Sequence, residues 1–283
     1  MDYRLVVLIW DTLDGLMTLS PDKRTALVIG HPGHELRVFR WLEIMRPAVF
    51  VITDGSGRSG PSRLPSTTRI LDQVGASPGS FYGPITDAAA YAAMLNQDFD
   101  LFIGLTRQLA QYLIDERISH VAGDALEGYN PTHDACRLII GAAVEMVERT
   151  TGRELECFDF LLTGKPDDHV NPVDNHTTRL ELDDEAFARK MAVARSYPEL
   201  EAEVDGAIAQ NRLDAFRVEC LRRVHNRPAV FRAEHKPYYE QYGEQQVLSG
   251  HYYQVIRYRE HLAPLAEALW RQVEAGCDLP KNN

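Results

Sequence analysis

Ala26-Leu27-Val28-Ile29-Gly30-His31-Pro32-Gly33-His34-Glu35 is the stretch that decides the fold. Its four apolar residues read as a buried strand over Thr25 to Ile29. A loop of glycine, proline and two histidines follows. Leu36 to Met45 then carries Leu36, Phe39, Arg40, Leu42 and Glu43 at helical spacing until Arg46-Pro47 stops it. Strand, loop and helix in that order predict a βαβ unit whose loop lies at the carboxyl end of the strand, where open α/β sheets place their sites.

The same alternation continues outward. Ala48 to Thr53 reads as a second strand, Thr67 to Val74 as a helix ended by Gly75, and Ser80-Phe81-Tyr82 as a short third strand. Phe99 to Glu116 has the period of a long amphipathic helix. His120-Val121-Ala122 is a strand, Thr132 to Thr150 a helix and Glu154 to Leu162 another strand. Strands separated by helices predict an α/β fold with a mainly parallel sheet flanked by helices. After Gly164 the pattern changes. Lys165 to Thr178 reads as a long loop, Asp183 to Ala194 as a capped helix, Glu199 to Val224 as continued helix, Pro228 to Tyr242 as irregular, and Gln254 to Ala275 as holding a final helix. The expected organisation is an N-terminal extension over 1–23, a catalytic α/β domain over 24–165 and a helical or irregular C-terminal extension over 166–283 packed on it.

Composition narrows the function classes. In 283 residues the net charge is -11, which argues against a broad nucleic-acid surface, because phosphate binding needs clustered Lys and Arg. Leu5-Val6-Val7-Leu8-Ile9-Trp10 is too short to span a bilayer and meets Asp11 at once, so it reads as a packed or interfacial element. With no longer apolar run, no membrane span is expected and the location is read as cytoplasmic. Cys136, Cys157, Cys220 and Cys277 lack paired short spacings and read as free thiols.

A second loop, Gly128-Tyr129-Asn130-Pro131-Thr132-His133-Asp134, follows the fourth strand and opens a helix. In a parallel sheet both loops lie on one edge, so His31, His34 and His133 are candidate ligands of one metal ion, with three imidazoles leaving a position open for chemistry. A surface or hydrogen-bonding role competes for each of them, and is the reading for His120, His169, His176, His225 and His235. Gly55-Ser56-Gly57-Arg58-Ser59-Gly60 matches a dinucleotide fingerprint, but Pro61 and Pro65 delay the helix that motif needs, so a loop at the mouth of the site is the alternative. Tyr238, Tyr239, Tyr242, Tyr252, Tyr253 and Tyr258 crowd the tail, and fit either a glycan groove or packing and a subunit interface.

The two histidine loops together resemble the signatures of the PIG-L/LmbE-like deacetylases, in which a strand runs into His-Pro-Asp-Asp-Glu and a later Asp-containing strand end precedes His-Pro-Asp-His. Thr53-Asp54-Gly55 resembles the second-strand ending, and Arg63 an arginine placed before the Leu-Gly turn. The likeness covers 24–165. It implies a Rossmann-like domain, a Zn2+ cofactor or another divalent transition ion, and hydrolysis of an N-acyl group from an amino sugar or glycoconjugate. Carried across by position, His31 and His133 match metal ligands and His34 stands where a ligand aspartate is expected. Gly33 occupies the place of the general-base aspartate, and Asn130 lies near an oxyanion-stabilising histidine. Asp124, Glu35 and Asp54 are the candidate replacement bases, and Arg63, Tyr129 and Asn130 the candidate substrate contacts. The alternatives are a catalytically impaired relative that binds a glycan or nucleotide sugar and, more distantly, a nicotinamide-dependent oxidoreductase. A homo-oligomer is compatible with all of them.

Overall fold

A computed structural model of the chain describes residues 23–58, 60–168, 177–225 and 236–276. Among the described residues seven strands form one sheet: β1 (Thr25–Ile29), β2 (Ala48–Thr53), β3 (Ser77–Ile85), β4 (His120–Asp124), β5 (Glu156–Phe160), β6 (Thr177–Glu181) and β7 (Val218–Arg223). Their order is β3-β2-β1-β4-β5-β7-β6. The first five run parallel, while β7 lies antiparallel to β5 and β6 antiparallel to β7. The α/β expectation with a mainly parallel sheet is therefore what the chain adopts.

Helices cover both faces, and period-two alternation along each strand sorts the core between them. Ala26, Val28, Phe50, Ile52 and Val121 face α3 (Asp87–Leu95), α4 (Asp100–Asp115), α5 (Pro131–Thr151) and α9 (Ala263–Glu274). Leu27, Ile29, Val49, Val51 and Ala122 face α1 (Phe39–Met45), α2 (Leu64–Val74) and the end of α6 (Asp184–Arg195). Trp41, Phe50 and Phe102 are wholly buried in these two layers. Each such side chain contributes about 1.5–3 kcal/mol by leaving water.

Several expectations are corrected at the element level. The long helix near Phe99 is preceded by a separate one, α3, capped by Thr86, whose hydroxyl accepts from Ala89 N–H. Residues 199–224 are not one helix: α7 (Glu201–Asn211) ends at Arg212, whose positive φ of 67° breaks it, and β7 follows. The tail is less irregular than read, since α8 (Tyr238–Leu248) is a helix and β6 and β7 extend the main sheet. The N-terminal apolar element, His169, His176, His235 and Cys277 fall outside the described residues. Cys136, Cys157 and Cys220 are free and buried. No helix among the described residues is long and apolar enough to cross a membrane.

Candidate metal centre

The sheet order reverses between β1 and β4. The chain leaves β1 to build β2 and β3 on one side, then returns to build β4 and β5 on the other. The crevice outside the carboxyl ends of two such strands is where ligands bind in open α/β sheets. Gly30 to His34 follow β1 directly, Asp124 closes β4, and His133 sits in the first turn of α5. The topology thus brings both histidine loops to one place.

The three imidazoles converge there. Ring centroids are 5.3 Å apart for His31 and His34, 5.2 Å for His31 and His133, and 4.5 Å for His34 and His133, all edge to face. Buried acceptors orient two of the rings. His34 Nδ1 lies 2.9 Å from Asp124 Oδ2, an oxygen that also accepts from Gly30 N–H at 2.7 Å. His31 Nδ1 lies 2.8 Å from Thr53 Oγ1 and 2.8 Å from Asp87 Oδ1. The Thr53 hydroxyl donates to Gly30 O at 3.0 Å, so its oxygen accepts from His31. The aligned bond goes to Thr53, and Asp87 Oδ1 stands beside it without an aligned partner. Both rings therefore carry hydrogen on Nδ1, which leaves Nε2 as a free lone pair. Burial holds the His34 and His133 imidazoles well below their ordinary titration range, so both stay neutral; the neighbouring His31 adds to this at His34, and His34 at His133.

Asp87 escaped the sequence reading. It opens α3 and accepts from Gly57 N–H at 2.5 Å while facing His31. Burial pushes its carboxyl up, but the His31 ring beside it and the Gly57 N–H bond outweigh this and bring it down to about 2. The Thr86-Asp87 pair, a capping residue followed by an acid, was the available signal.

Within the cluster, His31 Nε2 and His133 Nδ1 are buried and have no hydrogen-bond partner among the described residues. Orphaned imidazole nitrogens at a switch point match the donor chemistry of a borderline divalent ion. As the side chains stand, no group of three or more His, Cys, Asp or Glu among the described residues is closed around a metal position. By donor type and burial the three histidines are candidate ligands of a divalent ion.

The other expected residues have definite partners. Asp124 is fully buried, and burial raises its carboxyl to about 7; its Oδ1 has no partner. Glu35 is also fully buried and raised by burial to about 7, yet both its oxygens are engaged, one by Gly33 N–H at 2.7 Å and one by the Thr67 hydroxyl at 2.8 Å. Asp54 Oδ1 accepts from Ser56 N–H at 3.0 Å and from the Ser56 hydroxyl at 2.6 Å, which makes a turn. Arg63 pairs with Glu203 at 3.2 Å. Asn130 caps α5, accepting from Thr132 N–H at 2.8 Å. Tyr129 is about half exposed, with its ring 6.3 Å from that of His133. In the glycine-rich loop after β2 no helix begins until Leu64, so its glycines do not stand at a helix N-terminus.

Gly33 has φ of 107°, a conformation that L side chains rarely adopt. A Cβ there would lie 2.2 Å from Leu200 Cδ1. Leu200, from the segment between α6 and α7, thus fills the space into which a side chain at position 33 would project.

No family model and no curated protein matches the chain. Among solved structures it is similar to the zinc-inhibited form of the teicoplanin deacetylase Orf2, at 11% identity over 80% of this chain and 94% of that one, with a TM-score of 0.49. It is similar also to a deacetylase–bog complex from the teicoplanin biosynthesis pathway (13% identity, 71% of this chain and 99% of that one, TM-score 0.48) and to a triple mutant of a deacetylase of that pathway (13%, 68% and 89%, TM-score 0.46).

Proposed function

We propose that the chain is a hydrolase, dependent on zinc or a similar divalent ion, that removes an N-acyl group, acetyl in the first instance, from an amino sugar or glycoconjugate. The observation that carries this reading is the meeting of His31, His34 and His133 at the switch point, with their rings no more than 5.3 Å apart and two of them held through Nδ1. His31, His34 and His133 would hold the ion, which when bound would supply Lewis-acid chemistry for the acyl carbonyl and for water.

The chain's own residues set up the rest. Thr53 fixes the tautomer of His31, with the Asp87 carboxylate beside the ring, and Asp124 fixes that of His34. Of the three acids expected to act as base, Asp124 alone among the described contacts touches the cluster. Its carboxyl is poised near neutrality and one of its oxygens is unengaged, so it is assigned the proton-accepting role. Glu35 holds the Gly33 amide and Asp54 holds the following turn. Arg63 and Tyr129 contact the substrate from the rim, and the Asn130 oxygen stays committed to the helix cap.

The Leu200 side chain beside Gly33 favours a second reading, a protein that binds an amino sugar without hydrolysing it. Metal content by elemental mass spectrometry, paired with acetate release from N-acetylated amino sugars, separates the two. The hydrolase reading expects about one equivalent of metal, lost in His133→Ala, and release that stops on chelation. Metal without turnover across a broad amide panel leaves the binding reading. Absence of metal after zinc incubation sinks the hydrolase.

A further inference from the structure

A column of tyrosines runs outward from the histidine cluster. Tyr129 lies 6.3 Å from His133. Tyr238 stacks on Tyr129 at 5.0 Å with 5° between the planes, Tyr242 follows at 6.1 Å and Tyr252 at 6.4 Å. Tyr238 and Tyr242 stand one turn apart on α8, so they share a face. The Gly128 carbonyl accepts from Tyr239 N–H at 3.3 Å, which pins the start of α8 to the second histidine loop. The column is therefore continuous with the proposed site and supported by two elements.

We infer that this column is a saccharide-binding subsite, so that the ligand is at least a disaccharide unit, with one ring at the histidines and the next on Tyr238 and Tyr242. This rests on the amino-sugar reading of the site. Centroid spacings of 5.0–6.4 Å offset the rings, and Tyr129, Tyr238 and Tyr242 remain 41–50% exposed, so each keeps part of its surface open. Among the described residues, the exposed large hydrophobic side chains are four tyrosines, Tyr129, Tyr238, Tyr242 and Tyr253, together with Leu248. A wall with aromatic bodies and hydroxyl rims matches a sugar ring, which has apolar C–H faces and a polar edge. An acyl chain would call for aliphatic side chains instead. A polyanion is disfavoured by the net charge of -11.

Calorimetric titration of the zinc-loaded full chain with N-acetylglucosamine, with its β-1,4-linked N-acetylated disaccharide and with octyl glucoside tests this. The disaccharide should bind about tenfold tighter than the monosaccharide, and Tyr238→Ala or Tyr242→Ala should each cut that ratio about threefold to tenfold. Tyr238→Phe, which keeps the ring, should retain most of it, and this guards against misfolding as the cause. Equal affinity for the two sugars, a ratio that survives both alanine variants, or tighter binding of octyl glucoside overturns the subsite. So does a sugar-independent dimer that Tyr242→Ala dissociates, which would give the wall to a second copy. A disaccharide preference without acetate release leaves the subsite standing while the hydrolase fails. Acetate release without the preference does the reverse.

Discussion

At the residue scale, position 33 shows how far a motif determines chemistry. Restoring the aspartate that the resemblance expects there should not install a base. Gly33→Asp meets both a positive φ and the Leu200 methyl. Overpacking of this kind costs about 1–3 kcal/mol, with backbone strain added. Urea denaturation should show that loss, and Leu200→Ala in the same chain should recover the packing part of it; full stability in Gly33→Asp alone would mean that the loop relaxes freely. Asp87 marks the opposite case, a residue whose importance the sequence hid. Nothing in the spacing ties an acid at the end of β3 to a histidine after β1, because their meeting depends on three parallel strands, β1, β2 and β3, ending together. Losing a carboxylate that stands beside a ligand histidine typically costs 10–100-fold in metal affinity. Asp87→Asn should therefore weaken zinc binding by about tenfold in a competition assay with a chromophoric chelator. Unchanged affinity would make Asp87 a helix-start residue and nothing more.

At the element scale, the parallel half of the sheet was legible. β1 and β2 match their predicted bounds because buried central strands read as unbroken apolar runs between clear stops. β7 was not legible. Val218-Glu219-Cys220-Leu221-Arg222-Arg223 carries charges that read as a helix surface, yet Glu219 and Leu221 are fully buried. Glu219 accepts from Arg40 N–H at 2.9 Å and Trp41 N–H at 3.0 Å at the start of α1, and from Lys190 Nζ of α6 at 2.8 Å. A strand residue thus caps a helix nearly two hundred positions away, a role with no local signature. Glu219→Ala strips the two amides of their acceptor and leaves the buried Lys190 ammonium without its counter-charge, with the Arg37 carbonyl at 3.2 Å as its remaining acceptor. Breaking such a pair costs about 3–5 kcal/mol. A thermal melt should show a correspondingly large drop in Tm, and Glu219→Gln, which keeps one acceptor oxygen, a smaller one. Equal losses in the two variants would show that charge rather than hydrogen bonding holds this junction.

At the scale of the whole molecule, the α/β class followed from alternation alone, and the meeting of the histidine loops followed from the switch point that such alternation creates. The electrostatic state of that crevice could not be read from spacing, since it depends on depth. Burial raises Glu35, Asp124 and Asp134 each to about 7, while it holds His34 and His133 low. These act in opposite directions on stability. A carboxyl with a raised folded pKa contributes fully below its unfolded value, near 4.5 for Glu35, and that contribution is lost as pH rises through about 7. The depressed histidines instead favour the fold above their unfolded value, near 6.5, and weaken it below. The overall pH profile therefore mixes both, and a single substitution isolates one. Glu35→Gln mimics the protonated side chain: its oxygen can still accept from Gly33 N–H, and its amide can face Thr67, whose hydroxyl lies 3.0 Å from Tyr197 OH. The variant carries no charge to bury at high pH. From pH 5 to pH 8 its stability relative to the parent should rise, by up to about 3 kcal/mol if the full shift is expressed. Urea midpoints of the two metal-free proteins across that window decide it. A difference that stays flat with pH would mean that Glu35 is ionised in the fold throughout, with the Gly33 amide and Thr67 stabilising a carboxylate rather than an acid.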